Sequence, residues 1–192
     1  MNVLGLMCSP KKKRNTDTLV SSILDGAASR GASTEVLYIN DLNFKPCQDC
    51  GYCRKINGCP FKDDMQLVYE KLIWADAVVV GSPTYYGSIN AQSRMFIDRC
   101  FRFIDMVDNG DGTWTFRSRM EKRKKLIFAG TNGSFGPECV PCQREIIKHL
   151  CNDINAEYWG EIFGHYTDEQ PVMDNAPLLE EARALGAKLI DG

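Results

Sequence analysis

The chain has 192 residues, 23 Lys and Arg against 25 Asp and Glu, 44% hydrophobic residues and nine cysteines. A net charge of −2 with both signs mixed along the chain leaves no electrostatic footprint for nucleic acid, and no stretch reaches the roughly 18 apolar residues of a membrane span. The length suits one compact domain over residues 1–192, expected to be soluble and, without a leader-like N-terminus, cytoplasmic. In a reducing compartment, nine cysteines point to metal or redox chemistry rather than to disulfides.

In chain order, residues 3–7 read as a strand and residues 16–30 as a helix with Leu19, Val20, Ile23, Leu24 and Ala27 on one face, closed by Gly31. Residues 34–39 form a second strand pattern, followed by a polar, cysteine-rich excursion at 40–62. Asp63 or Asp64 can cap a helix over 65–74. The run Ala77, Val78, Val79, Val80, Gly81 is apolar at nearly every position, as expected of a central parallel strand covered on both faces. A helix over 89–103, a strand at 125–129, a helix at 138–151, a strand around 157–163 and a helix at 176–189 complete the series. Strands alternating with helices in this way predict a three-layer α/β sandwich around a five-stranded parallel sheet. A second excursion at 104–120 carries Asn109, Gly110, Asp111 and Gly112 beside an alternating Thr113–Phe116 segment, a pattern suited to a hairpin. Excursions of this length on a compact domain usually serve function or assembly.

In an open α/β sheet, ligands sit beyond the carboxyl ends of the strands where the strand order reverses. The loop after the first strand brings Ser9, Lys11, Arg14, Asn15 and Thr16 to the start of a helix, where free N–H groups and the helix dipole favour an anion such as a phosphate monoester. A solvated basic turn with Asn15 or Thr16 as a helix cap is the alternative. Neither a dinucleotide fingerprint nor a P-loop motif is present. After the third strand, Pro83, Thr84, Tyr85, Tyr86, Gly87 and Ser88 form a proline-led aromatic turn able to present N–H groups and flat faces to a ring system, or simply to shape the turn.

These residues carry a resemblance. Ser9-Pro10 with Asn15-Thr16, the segment from Ser82 to Ser88, and Phe96-Ile97-Asp98-Arg99 resemble the NADPH-dependent FMN reductase branch of the flavodoxin-like proteins. The resemblance implies strand order 2-1-3-4-5, with the FMN phosphate on the first loop and the isoalloxazine ring on the second. It also implies a third flavin-side loop at Thr131, Asn132 and Gly133. The chain departs from the family at Cys8 and Arg14, where glycine is usual, and at Lys11, where arginine is usual.

Cys47-x2-Cys50-x2-Cys53-x5-Cys59-Pro60 is the most specific motif. Four thiolates within thirteen residues can wrap one metal centre, and the spacing is close to the ferredoxin run with a longer last gap and the same trailing proline. A [4Fe–4S] cluster matches best; structural zinc and a cysteine-rich loop without metal are the alternatives. With the flavin loops, the motif makes the chain resemble the iron–sulfur flavoprotein subfamily. That likeness implies an FMN-dependent electron-transfer oxidoreductase, a ferredoxin-type donor, a small acceptor, and homo-oligomers (dimer or tetramer) that bring a cluster near a neighbour's FMN. A cluster-free NAD(P)H-dependent FMN or quinone reductase on the same fold is the competing expectation. Cys139 and Cys142 read as thiols of a turn or as a redox pair at a helix start, and His149 and His165 lack metal-ligand spacing.

Overall fold

The computed structural model describes residues Met1–Gly192. Its sheet is built from β1 (Asn2–Met7), β2 (Ser33–Tyr38), β3 (Ala77–Tyr85), β7 (Lys124–Thr131) and β8 (Ala156–Gly164), with a short β4 (Ser88–Ile89) antiparallel to the end of β3. The order β2-β1-β3-β7-β8 is parallel throughout, the doubly wound 2-1-3-4-5 arrangement that the family resemblance implies. Helices α1 (Asn15–Ser29) and α6 (Ala176–Asp191) cover one face; α3 (Met65–Trp74), α4 (Ala91–Arg99) and α5 (Val140–Asp153) cover the other. A one-turn α2 (Tyr52–Lys55) lies within the cysteine-rich excursion. β5 (Ile104–Asp108) and β6 (Trp114–Ser118) form the predicted hairpin as a separate antiparallel pair.

The two-residue period of the strands divides the core in two. Leu4, Leu6, Val78, Val80, Leu126 and Phe128 face α3, α4 and α5 and pack with Val68, Leu72, Phe96, Ile147 and Leu150. Val3, Met7, Val79, Ile127 and Ala129 face α1 and α6 and pack with Leu19, Val20, Ile23, Ala182 and Leu189. α1 and α6 cross closely enough that a Cβ on Gly186 would lie 1.9 Å from the Ile23 carbonyl oxygen. That approach fixes α1 against the sheet and so fixes the loop that precedes it.

Boundaries differ from the sequence reading at two functional places. β3 runs four residues beyond the predicted strand, to Tyr85, and then reverses through Tyr86 (φ 50°) and Gly87 (φ 72°) into β4. Two successive positive-φ residues make this the hairpin turn that matches strand twist, so the segment expected to be an open loop is largely strand. α4 begins at Ala91, not at residue 89, because Asn90 caps it by accepting from the Ser93 N–H, and its last turn tightens to a 3₁₀ helix over Cys100–Phe103.

Candidate functional site: a crevice at the strand ends and a four-cysteine pocket

The carboxyl ends of β1, β3 and β7 open into a crevice of about 300 Å³ lined by Ser9, Lys11, Arg14, Asn15, Thr16, Pro83, Thr84, Tyr85, Thr131 and Gly133. These ten residues come from all three of the segments that the sequence singled out. Side-chain hydroxyls and two cations dominate the lining, and α1 starts at the crevice without a side-chain cap, leaving its first-turn N–H groups without protein partners. Uncapped N–H groups with Lys11 and Arg14 beside them are an arrangement that favours an anion.

Several expected ligand groups are committed elsewhere. The Asn15 amide donates to the Thr167 carbonyl at 3.4 Å and accepts from the Val172 N–H at 3.0 Å, so it ties the helix start to the chain beyond β8. Thr16 and Thr131 share a buried hydroxyl pair at 2.7 Å. The Ser9 hydroxyl accepts from the Lys11 N–H at 3.2 Å, which shapes the turn. Three residues of the predicted ring-holding loop, Tyr86, Gly87 and Ser88, lie outside the crevice: they form the β3–β4 turn, with Tyr86 fully exposed. Asn132 is also outside it. Its side chain is fully buried, accepting from Thr84 and donating to the Gly136 carbonyl at 2.9 Å and pairing with His165 at 2.8 Å. These groups hold the crevice wall without facing it.

The sequence reading missed Ser134, Phe135, Thr167 and Asp168, which complete the lining. It also missed Asn90, whose amide donates to the Cys8 carbonyl at 2.7 Å and accepts from the Ser93 hydroxyl at 2.7 Å, stitching β1 to α4 directly beneath the crevice. The neighbouring Cys8 thiol is wholly buried, and burial pushes it up to about 12, so it stays protonated and packs as a core side chain.

A second pocket gathers Cys47, Cys50, Cys53 and Cys59 with Phe61, Arg99 and Arg102 in its wall. Positive φ at Asp49 (44°) and Gly51 (68°) turns the chain between successive cysteines. Burial, with the other three thiols close by, raises the Cys53 thiol above its ordinary value. No three His, Cys, Asp or Glu side chains converge on a single-ion position, although all four cysteines line the same small cavity.

Arginines hold this excursion in place. The Arg99 side chain, 1% exposed, forks onto Asp63 at 2.8 and 3.0 Å and donates to the Lys45 carbonyl at 2.8 Å and to the Cys59 sulfur at 3.4 Å. It thereby grips both ends of the cysteine run. Burial alone would raise the Asp63 carboxyl, but the bond to Arg99 outweighs it and holds the carboxyl below its usual range. Arg119, from beyond the hairpin, donates to the Cys53 carbonyl at 2.8 Å. Cys139 and Cys142 lie apart from this pocket, at the start of α5, where the Cys142 thiol is 3.7 Å from the Ser88 hydroxyl.

A doubly wound parallel sheet with a polar, cation-flanked crevice at its switch point is the architecture in which α/β proteins bind nucleotides and flavins. The family model for NADPH-dependent FMN reductases matches residues 1–138, and the chain belongs to that family. Within it, the relatives that match are iron–sulfur flavoproteins. One from Methanocaldococcus jannaschii is 36% identical over 99 residues, covering 52% of this chain and 51% of the relative. Another from Methanosarcina thermophila is 35% identical over 99 residues, 52% of each. The chain is thus aligned with about half the length of the curated relatives it matches. Among solved structures, an NAD(P)H:quinone oxidoreductase from Methanothermobacter marburgensis superposes with a TM-score of 0.73 at 18% identity, covering 98% of this chain and 96% of that one, a likeness of fold. No helix is long and apolar enough to cross a membrane.

Proposed function

We propose that the protein is an FMN-dependent oxidoreductase carrying one [4Fe–4S] cluster, which takes electrons from a ferredoxin-type donor and delivers them to a small acceptor. The observation that carries this reading is the pairing of an uncapped, cation-flanked crevice at the sheet switch point with a separate pocket lined by four cysteines. FMN supplies one- and two-electron chemistry when bound, and an iron–sulfur cluster supplies single electrons. The first-turn N–H groups of α1, with Lys11, Arg14 and Ser9, hold the phosphate; Pro83, Thr84, Tyr85, Thr131 and Gly133 bound the ring. Cys47, Cys50, Cys53 and Cys59 hold iron. The polar lining and absence of a competing side-chain cap fit a phosphate ester, and the soft donor set fits iron–sulfur. The names of the matched relatives support the same pairing. In this reading the chain forms homo-oligomers in which the cysteine pocket of one copy approaches the crevice of another.

A second reading, a cluster-free NAD(P)H-dependent FMN or quinone reductase, is favoured by one observation. Arg99 and Arg119 fasten the excursion through the Lys45 and Cys53 carbonyls, contacts that need no metal. The visible and paramagnetic-resonance spectra of anaerobically purified protein, with iron and sulfide analysis, separate the two. About four iron and four sulfide per chain support the first; flavin bands alone, with no iron, leave the second.

A further inference from the structure

The four-cysteine pocket has a cationic wall with one charge left over. Of the ionic residues lining it, Arg54 is paired with Asp49 at 2.9 Å, Asp98 with Arg94 at 2.9 Å, and Arg99 with Asp63 at 2.8 Å. Arg102 has no carboxylate partner: its guanidinium lies over the rings of Tyr69 at 4.7 Å and Phe103 at 4.8 Å, and its Nε is buried with no acceptor. On its other side it borders a cavity shared with Arg119, Lys122 and Lys124, which repel it, with Glu121 the one carboxylate there. A buried guanidinium donor without an acceptor is costly unless an anion completes its surroundings.

We propose that Arg102 is the charge partner, and Arg99 the positioning residue, of an anionic iron–sulfur centre held by Cys47, Cys50, Cys53 and Cys59, and that Arg102 raises the reduction potential of that centre. The inference rests on the cluster-bearing reading above. A centre with four thiolate ligands is negatively charged, and uptake of one electron adds one further negative charge. A fixed cation in the wall, with its Nε shielded from solvent, favours the more negative state, and net charge and hydrogen bonds to sulfur are established determinants of such potentials. Arg99 contributes differently. Its charge is already met by Asp63, but its fork fixes the segment after Cys59 and its remaining N–H meets the Cys59 sulfur, so it orients a ligand as supporting residues of metal sites do.

The test is a redox titration of anaerobically loaded protein, followed by paramagnetic resonance, with iron and sulfide measured on every sample. Arg102→Gln is expected to keep its iron and to shift the reduction equilibrium about tenfold toward the oxidised form, about 59 mV for one electron. Arg102→Lys restores at least half of that shift. Arg102→Met, which keeps an apolar stem on Tyr69 and Phe103, repeats the measurement if Arg102→Gln does not fold. Arg30→Gln, at an exposed arginine on the opposite face of the sheet, leaves the potential unchanged. Arg99→Lys leaves the equilibrium within threefold but loses iron to a chelator at least tenfold faster than wild type. A fully loaded Arg102→Gln protein whose equilibrium moves less than twofold, or an equal shift in Arg30→Gln, overturns the inference and leaves the cluster reading standing. Wild-type protein that holds no iron or sulfide overturns the cluster reading itself.

Discussion

Asp63→Asn is the most direct probe of how the cysteine-rich excursion is held. The substitution keeps the shape of the side chain and removes the charge facing Arg99, which is 1% exposed against 20% for Asp63. Breaking a buried pair by removing one partner costs about 3–5 kcal/mol because the other charge stays behind without compensation. Arg99 would retain the Lys45 carbonyl at 2.8 Å and the Tyr69 hydroxyl at 3.3 Å, so the lower end, about 3 kcal/mol, is expected. With a urea m-value of about 2 kcal/mol/M, the unfolding midpoint should fall by about 1.5 M, measured by circular dichroism at equal protein and saturating flavin. The pH dependence has a definite sign. Arg99 holds the folded-state carboxyl below its ordinary value, so the unfolded chain binds the proton first as pH falls. The stabilisation is complete above the unfolded pKa, about 4, and is lost as pH drops through the lower folded value. The gap between wild type and Asp63→Asn should therefore narrow below about pH 4. A midpoint shift under about 0.3 M, or a gap that stays constant into strong acid, would refute the assignment of Arg99–Asp63 as the clamp.

Two further substitutions test the frame that positions the crevice. Gly186→Ala puts a Cβ 1.9 Å from the Ile23 carbonyl oxygen; separating α1 from α6 should cost about 3 kcal/mol and lower the melting temperature by roughly 8 °C, and an unchanged melting temperature would show that the helices can part without cost. Lys124 is 2% exposed and donates to the Ala75 carbonyl at 2.9 Å, and burial together with Lys122 pulls its pKa down to about 8. Between pH 8 and about 10 the unfolded chain binds this proton and the folded chain does not, so stability gains from rising pH. Lys124→Met should lack that gain and be at least as stable as wild type at pH 7; parallel stability curves for the two proteins would contradict it.

The sheet was legible because its strands are written as apolar runs. Ala77, Val78, Val79 and Val80 are all fully buried, and Leu4, Leu6 and Met7 behave likewise. The extension of β3 through Ser82, Pro83 and Thr84 was not legible, because these residues read as a turn and become strand only by pairing with β7, where Ser82 sits opposite Gly130 and Pro83 opposite Thr131, and with β4, where Thr84 sits opposite Ile89. β1 ends opposite Gly81, so Pro83 lies where one edge of β3 has lost its neighbour and a missing N–H is tolerated. The same tertiary pairing redirected Tyr86 and Gly87 away from the crevice. Thr167 and Asp168 could not be read from any period or motif. They reach the crevice because the Thr167 N–H donates to the Asn132 carbonyl at 3.0 Å, a contact between segments far apart in the chain. The cysteine spacing was legible in full, whereas the arginines that hold it come from α4 and from beyond β6, and no local pattern ties them to it.

The crevice and the cysteine pocket share no lining residue. They lie toward opposite ends of α4: Asn90 caps the helix under the crevice, and Arg99 closes it against Cys59. Nine helical residues span about 13 Å, a separation at which substitutions in one chain ordinarily act independently. Arg14→Ala removes a cation from the crevice and should weaken FMN binding about tenfold, about 1.4 kcal/mol, by titration of flavin fluorescence. Asp63→Asn, for all its expected effect on stability, should leave FMN affinity within twofold in dilute protein, where single chains dominate. If assembly sets the cysteine pocket of one copy against the crevice of another, the same substitution weakens FMN binding only as protein concentration rises through the assembly range. Weakening at every concentration would mean that α4 itself transmits the change, and the two sites would then have to be treated as one.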